Sequence, residues 1–139
     1  MGNPRGVVLQ SGEYTPTEPI CGHTRGHQMS EFERKLAQLR ADLNTQGARV
    51  SDQLLHAVES SFDGDTEAAT KVVQSDGIID RVDVEIERAC IDLLRLGPND
   101  EHGIRSVLTI VKVNNELERI ADCAVDIAQS AINSEQLIK

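Results

Sequence analysis

The chain has 139 residues, a length typical of one domain, and aromatic residues make up only 2% of it. A core built from Leu, Ile, Val and Ala favours helix-on-helix packing over a sheet. The formal net charge of −9, with no basic stripe, argues against nucleic-acid binding and docking onto anionic lipid, and suits basic protein partners or metal cations. The sequence shows no apolar run of bilayer length and no evident secretory signal, and three cysteines without framework spacing indicate reduced thiols in a cytoplasm.

Residues 1–28 differ from the rest of the chain, and we expect them to be a flexible leader. They hold three of the four prolines and show no helical period. Cys21, His23 and His27 are ligand-type residues, but their spacing matches no standard zinc motif. We therefore place the folded domain at residues 29–139.

From Met29 onwards, apolar residues recur at steps of three, four and seven, which is the spacing of one face of a long helix. Ser30 is expected to cap this first helix, with Glu33 completing a capping box. Gly47 either weakens the helix or allows another helix to approach closely. The apolar stripe consists of Met29, Phe32, Leu36, Leu39, Leu43, Val50, Leu54, Val58 and Phe62.

Two breaks divide the remainder into two further helices. Gly64 and Asp65 form the first break, with Asp65 as the expected cap of helix two, and Gly97-Pro98 begins the second break. The stripes that follow are Val72, Ile79, Val82, Ile86, Ala89, Leu93 and Leu96, then Ile104, Val107, Ile110, Leu117, Ile120, Ala124, Ile127 and Ala131. Short links between helices of about 45 Å predict an all-α, up-down-up three-helix bundle with long antiparallel helices.

Rows of carboxylates border the second and third stripes. They are Asp76, Asp80, Asp83 and Glu87 on helix two, and Glu118, Asp122 and Asp126 on helix three, with Asn115 one turn earlier. Like charges at these spacings oppose helix formation by about 0.2–0.5 kcal/mol per pair. The rows are therefore either solvated faces or, where they face one another, a site for a hard cation.

Two segments carry a resemblance to a known family. Residues 117–122, Leu-Glu-Arg-Ile-Ala-Asp, resemble the LERIGD signature of the PhoU family, and Asp76-Gly77-Ile78-Ile79-Asp80 resembles its helix-two motif. The resemblance runs from about residue 29 to residue 133. Ala121 stands where the family usually has Gly, and Gly103-Ile104-Arg105 stands where D-L-R is common. Typical members carry two such bundles in tandem, and this chain has room for one.

The resemblance implies a metal site and a regulatory role. The implied metal ligands are Asp76, Asp80, Glu118 and Asp122, with Asp83 and Asn115 as additional candidates. Iron and zinc are the metals associated with the family, and carboxylate oxygens also suit manganese. The implied role is that of a cytoplasmic, non-enzymatic, negative regulator whose partners are phosphate transporter components or a sensor kinase. A homodimer would replace the tandem protein, and Arg119 is either structural or partner-facing.

Two other functions are compatible with an acidic bundle. One is a metal-free helical adaptor whose acidic rows are simply solvated. The other is a carboxylate-bridged di-metal enzyme, which needs four helices and Glu-x-x-His pairs; the sequence contains no such pair. We expect that the protein is not an enzyme, because the sequence also shows no nucleophile triad pattern and no phosphate-cradling glycine loop.

Overall fold

The computed structural model describes residues 29–98 and 100–138. They form three helices, α1 (Glu31–Asp63), α2 (Thr66–Leu96) and α3 (Glu101–Ile138), and no strand occurs in these two ranges. Each helix packs against both of the others, and short links reverse the chain twice. The predicted all-α, three-helix fold is confirmed. The predicted leader, residues 1–28, lies outside the described residues.

The helix ends follow the local signals in the sequence. The Ser30 hydroxyl oxygen accepts a hydrogen bond from the Glu33 N–H at 3.2 Å, and the Glu33 carboxylate accepts one from the Ser30 N–H at 3.3 Å, which confirms the capping box. The Asp65 carboxylate accepts from the Ala68 N–H at 3.0 Å and caps α2. Gly64 follows α1 with a φ of 66°, a left-handed conformation that glycine adopts without strain.

The core consists of three layers stacked along the bundle. The layer nearest the α2–α3 link, here called the turn-end cluster, contains Leu36, Leu39, Ile86, Cys90, Leu93, Val107 and Ile110. The layer at the opposite end contains Ala57, Ala69, Val72, Ala124 and Ala128. The middle layer contains only Val50, Ile79 and Ala121, with Leu117 packed against it. The smallest apolar layer therefore lies at mid-height.

Buried amide side chains adjoin this middle layer. Gln46 is 1% exposed, and Gln53 and Asn114 are each 4% exposed. The Gln46 amide nitrogen donates to the carbonyl oxygen of Ile79 at 2.8 Å. We call the middle layer together with Gln46, Gln53 and Asn114 the waist. Its amides link α1 and α3 to the same stretch of α2.

Parts of the predicted stripes are wrong. Phe62 is 88% exposed, and Leu96, Ile104 and Ile120 are also exposed. On α1 the buried face continues through Gln46, Gln53, Ala57 and Ser60. The predicted stripe followed apolar residue types, so it passed over buried polar residues and drifted towards the outer side of α1. On α3, Asn114 and Ala121 likewise occupy the core face beside Ile120.

Candidate functional site

The antiparallel packing of α2 and α3 brings carboxylates from both acidic rows together. Asp80 and Asp83 of α2 act electrostatically on Glu118 of α3, as does Asp122 one turn further along α3. We call these four side chains, Asp80, Asp83, Glu118 and Asp122, the carboxylate cluster. Three of its members belong to the four ligands that the resemblance implied, and Asp83 was an additional candidate.

Glu118 is the member with the most perturbed environment. Burial raises the pKa of Glu118 from its ordinary value of 4.5 to about 7, with further contributions from the charges of Asp83 and Asp80, a hydrogen bond with the Asp83 side chain, and the charge of Asp122. Its Oε2 atom is buried and has no hydrogen-bond partner among the described residues. A cation beside this carboxyl group would favour its charged form.

Asp83 is held in place by α3. The Asn114 amide nitrogen donates to Oδ1 of Asp83 and also lies 3.3 Å from the Asp83 carbonyl oxygen, to which it donates as well. Asn114 is almost fully buried, whereas Asp83 is half-buried. The position of Asp83 relative to Glu118 is therefore set by a contact between helices and not by its own rotamer alone.

Asp76 has a different partner from the rest of the implied ligand set. It is half-buried and lies towards α1, where the amide nitrogen of Gln53 donates to its Oδ1 atom at 3.3 Å. The structure thus brings Asp80, Glu118 and Asp122 together with Asp83, and gives Asp76 a contact of its own one turn away along α2. Asp76 borders the carboxylate cluster.

The two remaining candidates lie on the surface. Asn115 is exposed, and its neighbour Asn114 is the asparagine that contacts Asp83. Arg119 is exposed and pairs with Glu116 at 3.2 Å. An exposed pair of this kind contributes little to stability.

Sequence reasoning missed Asn114 and Gln53. Both carry a signal that could have identified them. Asn114 lies four residues after Ile110 and four before Glu118, so it shares the inner face of α3 with both. Gln53 lies three residues after the buried Val50. Buried polar residues at such positions require partners, which makes them candidates for contact with a neighbouring polar site.

The carboxylate cluster fits a hard cation by the chemistry of its donors. All four side chains offer carboxylate oxygens, and the buried Oε2 of Glu118 is without a donor from the described part of the chain. Within residues 29–98 and 100–138, no three His, Cys, Asp or Glu side chains are already arranged to hold a metal ion. Binding of a cation here would require side chains such as those of Asp80 and Asp122, which are exposed, to turn towards Glu118.

None of the three described helices is both long and apolar enough to cross a membrane. The helices are amphipathic, with acidic and basic side chains on their outer faces.

Comparisons with known proteins agree with the family resemblance. The PhoU domain matches residues 43–131. The chain is 30% identical to the phosphate-specific transport system accessory protein PhoU of Serratia marcescens over 106 residues, which cover 76% of this chain and 44% of that protein. It is 36% identical to PhoU homolog 1 of Thermotoga maritima over 109 residues (78% and 47%) and 29% identical to PhoU of Escherichia coli over 106 residues (76% and 44%).

The matches cover most of this chain but only part of each relative. The chain spans less than half the length of these curated relatives. No solved structure shows a significant match. The matched range of this chain contains every member of the carboxylate cluster and both segments that carry the resemblance. The chain therefore belongs to the PhoU family.

Proposed function

We propose that the chain is a non-enzymatic regulator of phosphate uptake and phosphate signalling, a metal-binding helical module that acts through protein partners. The family match carries this proposal, because the relatives are named as accessory proteins of phosphate-specific transport. The match covers all of α2 and covers α3 as far as residue 131, and these are the helices that bring the carboxylate cluster together.

In this proposal, the carboxylate cluster holds one or more metal ions. Asp80, Glu118 and Asp122 supply oxygen ligands, with Asp83 as a further ligand and Asp76 at the edge of the site. Such oxygens suit manganese and iron, and zinc also accepts carboxylates. The mutual repulsion of these carboxylates and the buried Oε2 of Glu118 support a bound cation. The metal would neutralise the cluster and join α2 to α3.

The proposed partners are components of a phosphate transporter or a sensor kinase, met in the cytoplasm. A net charge of −9 suits a partner with a basic surface. The proposed assembly is a homodimer, in which a second copy would supply a second bundle. We place Arg119 on the partner-facing surface, since both it and Glu116 are exposed.

A metal-free helical adaptor is the second candidate. It is favoured by the absence of a ready-made ligand arrangement among the described residues. In this alternative, Asp80 and Asp122 remain solvated, and Glu118 retains a proton in place of a cation.

Deletion of the gene in its native cell tests the regulatory role. Uptake of radiolabelled phosphate in phosphate-rich medium should rise, because a negative regulator has been removed, and a wild-type copy should restore it. Unchanged uptake would contradict the proposal.

Two variants distinguish the metal-binding module from the metal-free adaptor. Glu118→Ala combined with Asp122→Ala should fail to restore normal uptake, whereas Glu116→Ala, an exposed position on the same helix, should restore it. Full restoration by the double variant would favour the adaptor. Equal helical circular dichroism of both variants would show that the comparison concerns function and not folding.

A further inference from the structure

Three buried side-chain oxygen atoms have no hydrogen-bond partner within the described residues: Gln53 Oε1, Asn114 Oδ1 and Glu118 Oε2. Buried acceptors are nearly always paired, so each such atom calls for an explanation. Asn114 and Glu118 lie four residues apart on one face of α3. The residues that carry two of the three unpartnered oxygens are therefore neighbours on the face of α3 that adjoins α2.

Asp83 of α2 adjoins both of these residues. Its carboxylate accepts from the Asn114 amide nitrogen, and its negative charge acts on the Glu118 carboxyl group. Because a carboxamide group is planar and compact, Asn114 Oδ1 is held next to the amide nitrogen that contacts Asp83. Two carboxylates and one neutral amide group are thus neighbours between the helices.

These donors define the class of ligand. All are oxygens, and the two carboxylates together carry two negative charges, which one divalent cation would balance. Carboxylate and carbonyl oxygens suit Mn²⁺, Mg²⁺ and Ca²⁺, whereas Zn²⁺ is more often held by His and Cys. Asn114 is 4% exposed, so its oxygen has little access to bulk water as an alternative partner.

We propose that Asn114 Oδ1 is a neutral ligand that, with Asp83 and Glu118, holds a hard divalent cation between α2 and α3. This inference rests on the metal-binding part of the proposed function and deepens it. It extends the site inward from the exposed Asp80 and Asp122 to the buried waist. It also assigns Asn114, and not the exposed Asn115, as the asparagine of the site.

A positioning role for Asn114 makes a different prediction from a ligand role. If Asn114 acts only by donating its N–H to Asp83, then Asn114→Asp removes that donor and should weaken cation binding. If Asn114 is a ligand, Asn114→Asp keeps an oxygen at the same place and adds a negative charge. The variant should then bind the cation at least as tightly as the wild type does.

The experiment is a titration of the full chain with Mn²⁺, followed by electron paramagnetic resonance, for the wild type and for Asn114→Ala, Asn114→Asp and Asn115→Ala. We expect Asn114→Ala to weaken binding by about tenfold or more, the lower bound for loss of a group that supports a metal site. Asn115→Ala should bind like the wild type. In Asn114→Ala, the number of water molecules on Mn²⁺, measured in ¹⁷O-labelled water, should rise by one.

Each outcome decides a separate question. Wild-type affinity in Asn114→Ala overturns the ligand role while leaving the remainder of the metal site intact. Weakened binding in Asn114→Asp overturns it in favour of positioning. No Mn²⁺ binding by the wild type overturns this inference, and the metal-binding part of the proposed function fails with it if iron and zinc also do not bind. Should Asn114→Ala lose its helical circular dichroism, Asn114→Asp decides alone.

Discussion

The turn-end cluster and the waist are built from the same three helices in opposite ways. The turn-end cluster fills its layer with large aliphatic side chains such as Ile86 and Leu93, each 2% exposed. The waist has a small apolar layer and buries three amides, two of which contact Asp76 and Asp83. The difference indicates that the turn end contributes most of the stability and that the waist places polar groups at mid-height, at some cost in stability.

Truncation of a side chain in the turn-end cluster should have the largest effect on the free energy of unfolding. Ile86→Ala leaves a cavity among tightly packed side chains and should lower the free energy of unfolding by about 2–5 kcal/mol. Ile91→Ala, on the same helix but 46% exposed, serves as the control and should change it by less than about 1 kcal/mol. Urea denaturation measures both. Equal losses in the two variants would mean that the turn end is not the main core.

An apolar replacement in the waist should lower the free energy of unfolding by less than Ile86→Ala does. Gln46→Met keeps the volume of a side chain that is 1% exposed, and the Ile79 carbonyl keeps its acceptor role within α2. We expect a change of within about 1.5 kcal/mol in the free energy of unfolding. Gln38→Met, at an exposed position of α1, is the matched control. If Gln46→Met lowered the free energy of unfolding as much as Ile86→Ala, the turn-end cluster and the waist would not differ in their contribution to stability.

The pH dependence of stability should report on Glu118. Folded metal-free protein keeps the Glu118 proton up to about pH 7, whereas an ordinary glutamate releases it near 4.5. Between these values the folded state binds more protons than the unfolded state, so the contribution of Glu118 to the free energy of unfolding decreases as pH rises from 4.5 to 7. Chelator-treated Glu118→Gln should lose this part of the pH dependence in thermal melts.

The control for this measurement is Glu116→Gln, which lies on the same helix but is exposed. Its melting temperature should follow that of the wild type across the pH range. A wild type and a Glu118→Gln variant with parallel pH profiles would show that Glu118 titrates like an ordinary glutamate.

The smallest expected effect is at Phe62. The residue is 88% exposed, so Phe62→Ser should change the free energy of unfolding by less than about 0.5 kcal/mol in urea denaturation. A loss above 2 kcal/mol would restore Phe62 to the core face that the sequence pattern assigned to it.

The fold was largely predictable because local signals define it. The Ser30 capping box, the Asp65 cap and the glycine stops set the helix ends, and short links then impose antiparallel neighbours. The acidic rows of α2 and α3 are visible in the sequence as steps of three and four residues. These features depend only on residue type and spacing.

Which residues form the waist depends on the orientation of each helix about its own axis. Apolar spacing placed Ile120 in the core, whereas packing buries Ala121. A stripe drawn from apolar residues alone passes over Gln53 and Asn114, because amides are more common on surfaces, although the spacing of both fits an inner face. The contact of Asp76 with Gln53 follows from the same rotation. The carboxylate partner of each buried amide depends on the packing of all three helices.

Crystals of the full chain grown with Mn²⁺ test most directly whether α2 and α3 hold a cation between them. An anomalous difference map should show a peak within about 2.0–2.6 Å of oxygens from Asp83, Asn114 and Glu118. Absence of a peak at that position, or a peak confined to the exposed carboxylates of Asp80 and Asp122, would contradict a cation site in the waist.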